Sequence, residues 1–340
     1  MFKRRLGRSG LAVSALGLGC MEIGGAMKDS ERHLLSESAE EKEPIFFLGN
    51  VDDGQSIRAI HYALDHGINF FDTAPAYGAG HSESILGRAF AGRRDQAVIA
   101  TKFGKFVDEK DRRYGRYAND REVINNIHKE CEDSLRRLST DYIDLYQFHL
   151  PGFPPELAAE IIEILEALVS EGKIRFYGWS TDSPDCARIF VPGAHCTAVQ
   201  HLMNVINDAP QQLAICDEFD QASIVRSILG RGFLTGKYTV DNYRSLLSAE
   251  DYRLKDHSYF VTLFSKIDKV RDILKSDGRT PAQGALAWVW ARSNRTIPIP
   301  GFRTLAQVEE NIKALEFGPL TTEQIEQIDV LLERAPARKN

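Results

Sequence analysis

The sequence predicts an α/β protein with a single domain over residues 1–340, a (β/α)8 or TIM barrel with an N-terminal β-hairpin and a C-terminal helix. Three observations carry this. Short apolar runs end in polar residues and Gly, as buried parallel strands do where they run out into loops. Examples are Phe70-Phe71-Asp72-Thr73-Ala74-Pro75-Ala76-Tyr77-Gly78, Ala100-Thr101-Lys102-Phe103-Gly104 and Asp144-Leu145-Tyr146-Gln147-Phe148-His149. Eight such runs alternate with amphipathic stretches, which favours a closed barrel over an open sheet. Hydrophobic residues make up 43% of the 340, enough for a large core, and no linker, repeat or low-complexity run divides the chain.

Taken in order, residues 2–13 alternate charged and apolar positions around Gly7-Arg8-Ser9-Gly10. This predicts a hairpin ahead of the main fold, placed to plug the barrel floor. Strands are expected at 15–18, 69–72, 98–102, 145–149, 176–179, 198–201, 223–227 and 296–299. Helices are expected at 55–66, 82–91, 121–138, 156–171, 183–190, 209–219, 259–276 with 281–292, and 304–315. A last helix is expected over 321–333, capped by Thr321 or Thr322. One segment breaks the rhythm. Residues 22–53 separate the first strand from its helix, where βα loops ordinarily take about 2–6 residues. The part 30–43 is polar and charged, and Pro44-Ile45-Phe46-Phe47-Leu48 is apolar. The segment follows a barrel strand and so hangs over the active-site face. It is either a surface excursion or a lid that folds Phe46 or Phe47 over a substrate.

Composition excludes several classes. The net charge is −6 and Lys3-Arg4-Arg5 is too short to make a basic face, so no nucleic-acid partner is expected. No stretch approaches the ~20 apolar residues of a membrane helix, and Met1-Phe2-Lys3-Arg4-Arg5-Leu6-Gly7 lacks the apolar core of a secretory leader. Cys20, Cys131, Cys186, Cys196 and Cys216 are odd in number and scattered, which points to a reducing, cytoplasmic compartment without disulfides or structural zinc. His61 and His66 lie off a common helix face, and His128, His195, His201 and His257 are dispersed, so no metal is expected. His81 follows the Tyr77 loop closely and is the exception to watch.

Asp72, Tyr77, Lys102 and His149 all fall at or just past the carboxyl ends of predicted strands, where parallel α/β sheets hold their chemistry. A phenol has a pKa of roughly 10, and an ammonium beside it favours the phenolate. A carboxylate can hold the ammonium, and an imidazole can donate to a carbonyl oxygen.

In order and context these four residues resemble the catalytic tetrad of the aldo-keto reductases. The resemblance extends to Gly80-His81-Ser82-Glu83-Ser84-Ile85-Leu86-Gly87-Arg88, Gly178-Trp179-Ser180, Gln200, Gly232-Phe233-Leu234-Thr235-Gly236-Lys237, and Ile299-Pro300-Gly301-Phe302-Arg303 through Glu310-Asn311. It implies an NADP(H)-dependent oxidoreductase that reduces an aldehyde or ketone, or runs the reverse on a sugar-like alcohol. Tyr77 would give the proton to the carbonyl oxygen, Lys102 would lower its pKa, Asp72 would orient Lys102, and His149 would donate to the same oxygen.

No G-x-G-x-x-G follows a strand, which disfavours a Rossmann site. The resemblance implies instead an extended nicotinamide nucleotide across the barrel mouth. Its carboxamide would meet Ser180, Thr181 and Gln200, with Cys20, Met21 and Asp72 also at the cofactor. Thr181 stands where many relatives have Asn. Ser227, Leu229, Gly232, Leu234 and Lys237 match the loop over the pyrophosphate. Gly301, Phe302, Arg303, Thr304, Gln307, Glu310 and Asn311 match the adenosine end. A guanidinium at a helix start suits a phosphate dianion, so Arg303 favours NADP(H) over NAD(H). Arg226 departs from the family pattern, which has a stacking aromatic there, and Ile228 replaces the usual Pro. Either Arg226 takes over the stack or it points aside to an acidic or hydroxylated substrate. Two rivals remain: a nucleotide-binding redox-sensing or regulatory subunit with little turnover, against which the intact tetrad argues, and a barrel lyase or isomerase.

Overall fold

A computed structural model describes residues 2–29, 45–46, 51–247 and 257–334. Eight parallel strands form the barrel: β1 (Leu18–Gly19), β2 (Phe70–Asp72), β3 (Val98–Phe103), β4 (Ile143–Phe148), β5 (Ile174–Ser180), β6 (Cys196–Leu202), β7 (Ala222–Arg226) and β8 (Thr296–Pro298). Each pairs with its neighbour in sequence. The ring closes where Gly17 N–H donates to Pro298 O at 2.9 Å and Gly19 N–H to Pro300 O at 3.0 Å. Every residue of β3 and β4 is buried, including the polar Thr101, Lys102, Asp144 and Gln147.

Helices pack outside: α1 (Asp53–Asp65), α2 (His81–Ala89), α3 (Asp120–Leu138), α4 (Pro155–Ser170), α5 (Pro184–Phe190), α6 (Pro210–Glu218), α7 (Tyr243–Leu246), α8 (His257–Leu274), α9 (Pro281–Arg292), α10 (Leu305–Phe317) and α11 (Thr322–Leu331). Thr280, Thr304 and Thr321 each close a capping box with the Gln three residues on. None of the described helices is long and apolar enough to cross a membrane.

The hairpin Lys3–Arg5 with Ala12–Ser14 does plug the floor. Leu6 and Val13 are fully buried among the inward side chains Phe70, Ala100, Leu145, Ala198, Ile224 and Ile297. Thr197 Oγ1 donates to Leu6 O at 2.6 Å, and Arg8 donates to the carbonyls of Val191, Gly193 and Cys196 at 2.8, 2.6 and 2.6 Å.

Three expectations need correction. The first strand is Leu18–Gly19 rather than 15–18, because Ser14 Oγ donates to Leu16 O at 2.6 Å and holds a turn there. Strand seven stops at Arg226, because Ser227 takes a left-handed φ of 59°. The rhythm also breaks twice, not once. Residues 104–119 form a hairpin of Phe106–Asp108 and Arg113–Gly115. That hairpin pairs in parallel with Met27–Asp29, which pairs antiparallel with Ile45–Phe46. The two insertions thus share one small sheet. The lid expected around Pro44, Phe47 and Leu48 lies outside the described residues, as does 30–43.

Candidate active site

Asp72 ends β2, Lys102 is the second-last residue of β3, and His149 directly follows β4. Tyr77 comes from the loop after β2. That loop is held by Gly24, whose Cα face lies against the Tyr77 carbonyl, and by Gly78, whose φ of 65° and closeness to the Gly24 carbonyl leave no room for a Cβ. Behind it, Thr73 Oγ1 donates to Ser82 Oγ at 2.8 Å, and Ser82 Oγ to Cys20 O at 2.7 Å. The motif after Tyr77 continues this scaffold. Glu83 accepts from Thr101 Oγ1 and Arg137 Nε, each at 2.6 Å, and so locks α2 and α3 to β3.

The structure brings the four side chains together. Lys102 Nζ is fully buried and donates to Asp72 Oδ1 at 2.6 Å, Thr73 O at 2.7 Å and Tyr77 Oη at 3.1 Å. All three ammonium protons are therefore used. Asp72 Oδ2 accepts from Gln147 Nε2 at 3.0 Å and Gln200 Nε2 at 2.7 Å. The Tyr77 and His149 rings meet edge to face at 6.3 Å between centroids. Burial opposes the charge on Lys102, but Asp72 and the Tyr77 hydroxyl outweigh it and raise its pKa. Burial also raises the Tyr77 pKa, and the counter-pull of Lys102 does not cancel it. The expected net lowering is thus reversed here, because the hydroxyl is shielded from water. Burial, with Lys105, Lys102 and Arg226 nearby, pushes His149 well below the usual histidine range, so the ring is neutral and can donate one N–H.

The nicotinamide positions separate. Ser180 ends β5 and Gln200 lies two residues before the end of β6, and the Gln200 amide N–H groups already serve Asp72 and Gln147 (3.2 Å), leaving its oxygen as acceptor. Thr181 Oγ1 turns away and donates to Pro151 O at 2.7 Å, so its hydroxyl is committed elsewhere. Cys20 is fully buried behind the mouth, and Met21 is half-buried. Arg226 at the end of β7 pairs through Nη2 with Asp182 Oδ2 at 2.6 Å, and its charge still reaches Tyr77 and His149.

Between the β7 and β8 loops lies a cavity of about 410 Å³ lined by Leu229, Lys237, Gly301, Gln307, Glu310 and Asn311, with Thr235, Gly236 and Ala282. Its most telling group is Asn311, which is 2% exposed and whose Nδ2 has no hydrogen-bond partner. A buried orphan donor at a cavity wants an acceptor, and an adenine ring supplies one. Ser227, Arg231 and Gly232 take left-handed φ values of 59°, 56° and 93°, which curl the strand-seven loop along the cavity. Leu234 and Phe302 are buried side chains of the core beneath it. Arg303 is exposed at the start of α10, and its N–H and that of Thr304 are taken by Gln307 Oε1 at 2.7 and 3.2 Å. The open donors of that turn are therefore those of Leu305 and Ala306. The donor set thus fits a dinucleotide.

His81 pairs with Asp53 at 2.9 Å and joins α2 to α1. Among the described residues no three His, Cys, Asp or Glu side chains stand close enough to hold a metal. Sequence reasoning missed Gln147, Asp182, Glu22 and Glu130. Gln147 had a signal, since it lies two residues before His149 on the same inward face. The others are reached only through the fold.

The chain matches the family model described as "Aldo/keto reductase family" over residues 16–333. It is 33% identical to the "Probable aldo-keto reductase 1" of Glycine max over 92% of this chain and 83% of that protein. The solved structure of the glycerol dehydrogenase AKR11B4 from Gluconobacter oxydans superposes with a TM-score of 0.80 at 31% identity, covering 99% and 97% of the two chains. An aldo-keto reductase from Klebsiella pneumoniae, solved in complex with NADPH, superposes with a TM-score of 0.67 at 25% identity, covering 100% and 98%.

Proposed function

The chain belongs to the aldo/keto reductase family of oxidoreductases, and from that premise we propose that it reduces a small aldehyde or ketone with NADP(H), using Tyr77 as the proton donor. The observation that carries the reading is the fully buried Lys102 Nζ bridging Asp72 Oδ1 and Tyr77 Oη. A reduced nicotinamide, when bound, supplies a hydride to the carbonyl carbon. Burial raises the Tyr77 pKa, so the resting hydroxyl holds its proton until negative charge develops on the substrate oxygen. As the proton leaves, Lys102 stabilises the phenolate across 3.1 Å. Neutral His149 donates its N–H to the same substrate oxygen and fixes the approach. Asp72 holds Lys102 in place, and Gln147 and Gln200 hold Asp72.

Asn311, Arg303 and Lys237 support the nucleotide assignment, and the exposed Arg303 guanidinium supports a 2′-phosphate. The glycerol dehydrogenase relative and the Arg226–Asp182 pair at the rim both favour a hydroxylated carbonyl compound. The five free cysteines, four of them buried, favour a reducing cytoplasm. The test is loss of reduced-nicotinamide absorbance with NADPH and a panel of hydroxy-aldehydes and hydroxy-ketones, and its gain with NADP⁺ and glycerol. Nucleotide binding without turnover on any substrate would instead favour a regulatory subunit.

A further inference from the structure

Glu22 stands in the half-turn Glu22–Gly24 after β1, the same strand end that closes the barrel against β8. Its carboxyl lies directly on the Cα face of Gly301, where a Cβ would collide with both of its oxygens. Gly301 also lines the nucleotide cavity, with Lys237 and Glu310 across it. The turn beneath is pinned: Gly24 packs on the Tyr77 carbonyl, and Arg112 donates to Gly24 O at 3.1 Å and Ala26 O at 3.0 Å. The backbone therefore holds Glu22 at this place, and only its side chain is free to swing. In the cleft read here as the seat of a polyphosphate, the protein has put an anion of its own.

We propose that Glu22 is the internal anion of the nucleotide cleft, a carboxylate that nucleotide binding must neutralise before phosphates can settle between Gly301 and Arg303. The proposal rests on the nucleotide reading given above. A dinucleotide brings at least two negative charges into the same space, and like charges in a half-buried cleft repel strongly. The repulsion is relieved when a solvent proton moves onto the carboxylate. Burial already raises the Glu22 pKa, while its own backbone N–H and the charge of Arg303 pull it down. Cys20, just after β1, is held as a neutral thiol by burial, Asp72 and Glu22, with Lys102 opposing. Bound phosphates would raise the Glu22 pKa further. The sign follows: binding takes up a proton, so affinity is highest at low pH and falls as pH rises through the range where free Glu22 ionises. The fall is at most about tenfold per pH unit for one proton.

Titration calorimetry tests this on the full chain with NADP⁺ and NAD⁺ from pH 5.5 to 8.5, in buffers of different ionisation enthalpy. The 2′-phosphate of NADP⁺ itself titrates near pH 6, so the quantity read is the difference between wild type and Glu22→Gln for each nucleotide. The expected result is proton uptake by the unaltered protein, which Glu22→Gln and Glu22→Ala abolish, and affinity about tenfold tighter in both variants at pH 8. Equal pH slopes in wild type and variants overturn the proposal, as does weaker binding by both, which would make Glu22 a nucleotide ligand. Failure of wild type and variants alike to bind either nucleotide overturns the cleft assignment and this proposal with it. Binding without proton uptake overturns this proposal alone.

Discussion

Lys102 carries its charge fully buried, and that single fact organises the site. An ammonium that is fully buried survives only with its donors satisfied, and here the phenol is one of the three acceptors. Two substitutions separate chemistry from stability. Tyr77→Phe removes one acceptor and should cost about 1 kcal/mol of stability, yet lower kcat for carbonyl reduction by about 10²–10⁴-fold with NADPH affinity unchanged. Lys102→Met strands the Asp72 carboxylate and should cost about 3–5 kcal/mol by denaturant unfolding as well as activity. Near-wild-type turnover in Tyr77→Phe would remove the proton-donor role. A second buried group gives a pH signature. Glu130 is 8% exposed, accepts from Gly104 N–H at 2.9 Å, and has Oε1 without a partner. Burial pushes its pKa up to about 8. Its folded-state value lies above the ordinary 4.5, so the folded state holds the proton longer than the unfolded state. Its contribution is full below about pH 4.5 and lost as pH rises to about 8, by at most about 1.4 kcal/mol per unit. Glu130→Gln should flatten the stability profile between pH 5 and 8.5 in urea. An unchanged slope would show that Glu130 ionises normally.

At the scale of elements, α10 shows how one helix start combines structure and recognition. Thr304 and Gln307 close the capping box, and Gln307 Oε1 also holds the Arg303 N–H at 2.7 Å. The backbone at Arg303 is thereby fixed while its guanidinium stays in solvent. Arg303→Ala should leave the cap and the melting temperature intact. It should weaken NADP(H) by about 1.5–3 kcal/mol and NAD(H) far less, since only the former carries a 2′-phosphate. Equal losses in fluorescence titrations with both nucleotides would refute the assignment. The small sheet joining Met27–Asp29, Ile45–Phe46 and the hairpin after β3 is a different kind of element. Its strands come from two barrel insertions, and neither has a pattern of its own strong enough to announce a strand.

For the whole molecule, the barrel is a ring whose mouth holds the proposed site and whose floor is sealed by the N-terminal hairpin. The seal depends on close approach. Gly7 has φ of 53°, and a Cβ there would run into the Thr197 carbonyl and lie 2.8 Å from Ala222 N. Gly7→Ala should therefore destabilise the fold by about 1–3 kcal/mol, visible in a thermal melt. KM and kcat at temperatures below the melt should stay unchanged, because the floor and the mouth are opposite ends of the strands. A changed KM with an unchanged melt would mean that the plug communicates with the mouth.

The eight-fold alternation, the helix cap at Thr321, the plugging hairpin and the strand-end positions of Asp72, Lys102 and His149 were all legible in the sequence. Each depends on local periodicity or on residues a few positions apart, which a linear reading preserves. The tertiary structure alone decided the rest. Arg226 is engaged by Asp182, 44 residues away, which offers a carboxylate. Thr181 spends its hydroxyl on Pro151 O, 30 residues back. Glu22 meets Gly301 only because the barrel closes on itself. The balance at Tyr77 likewise turned on burial, which no residue carries in its own identity. The sequence determined which groups stand at the mouth. Which of them face one another, and how far water is kept from each, follows from contacts between distant segments, and those contacts set the charges on which the chemistry depends.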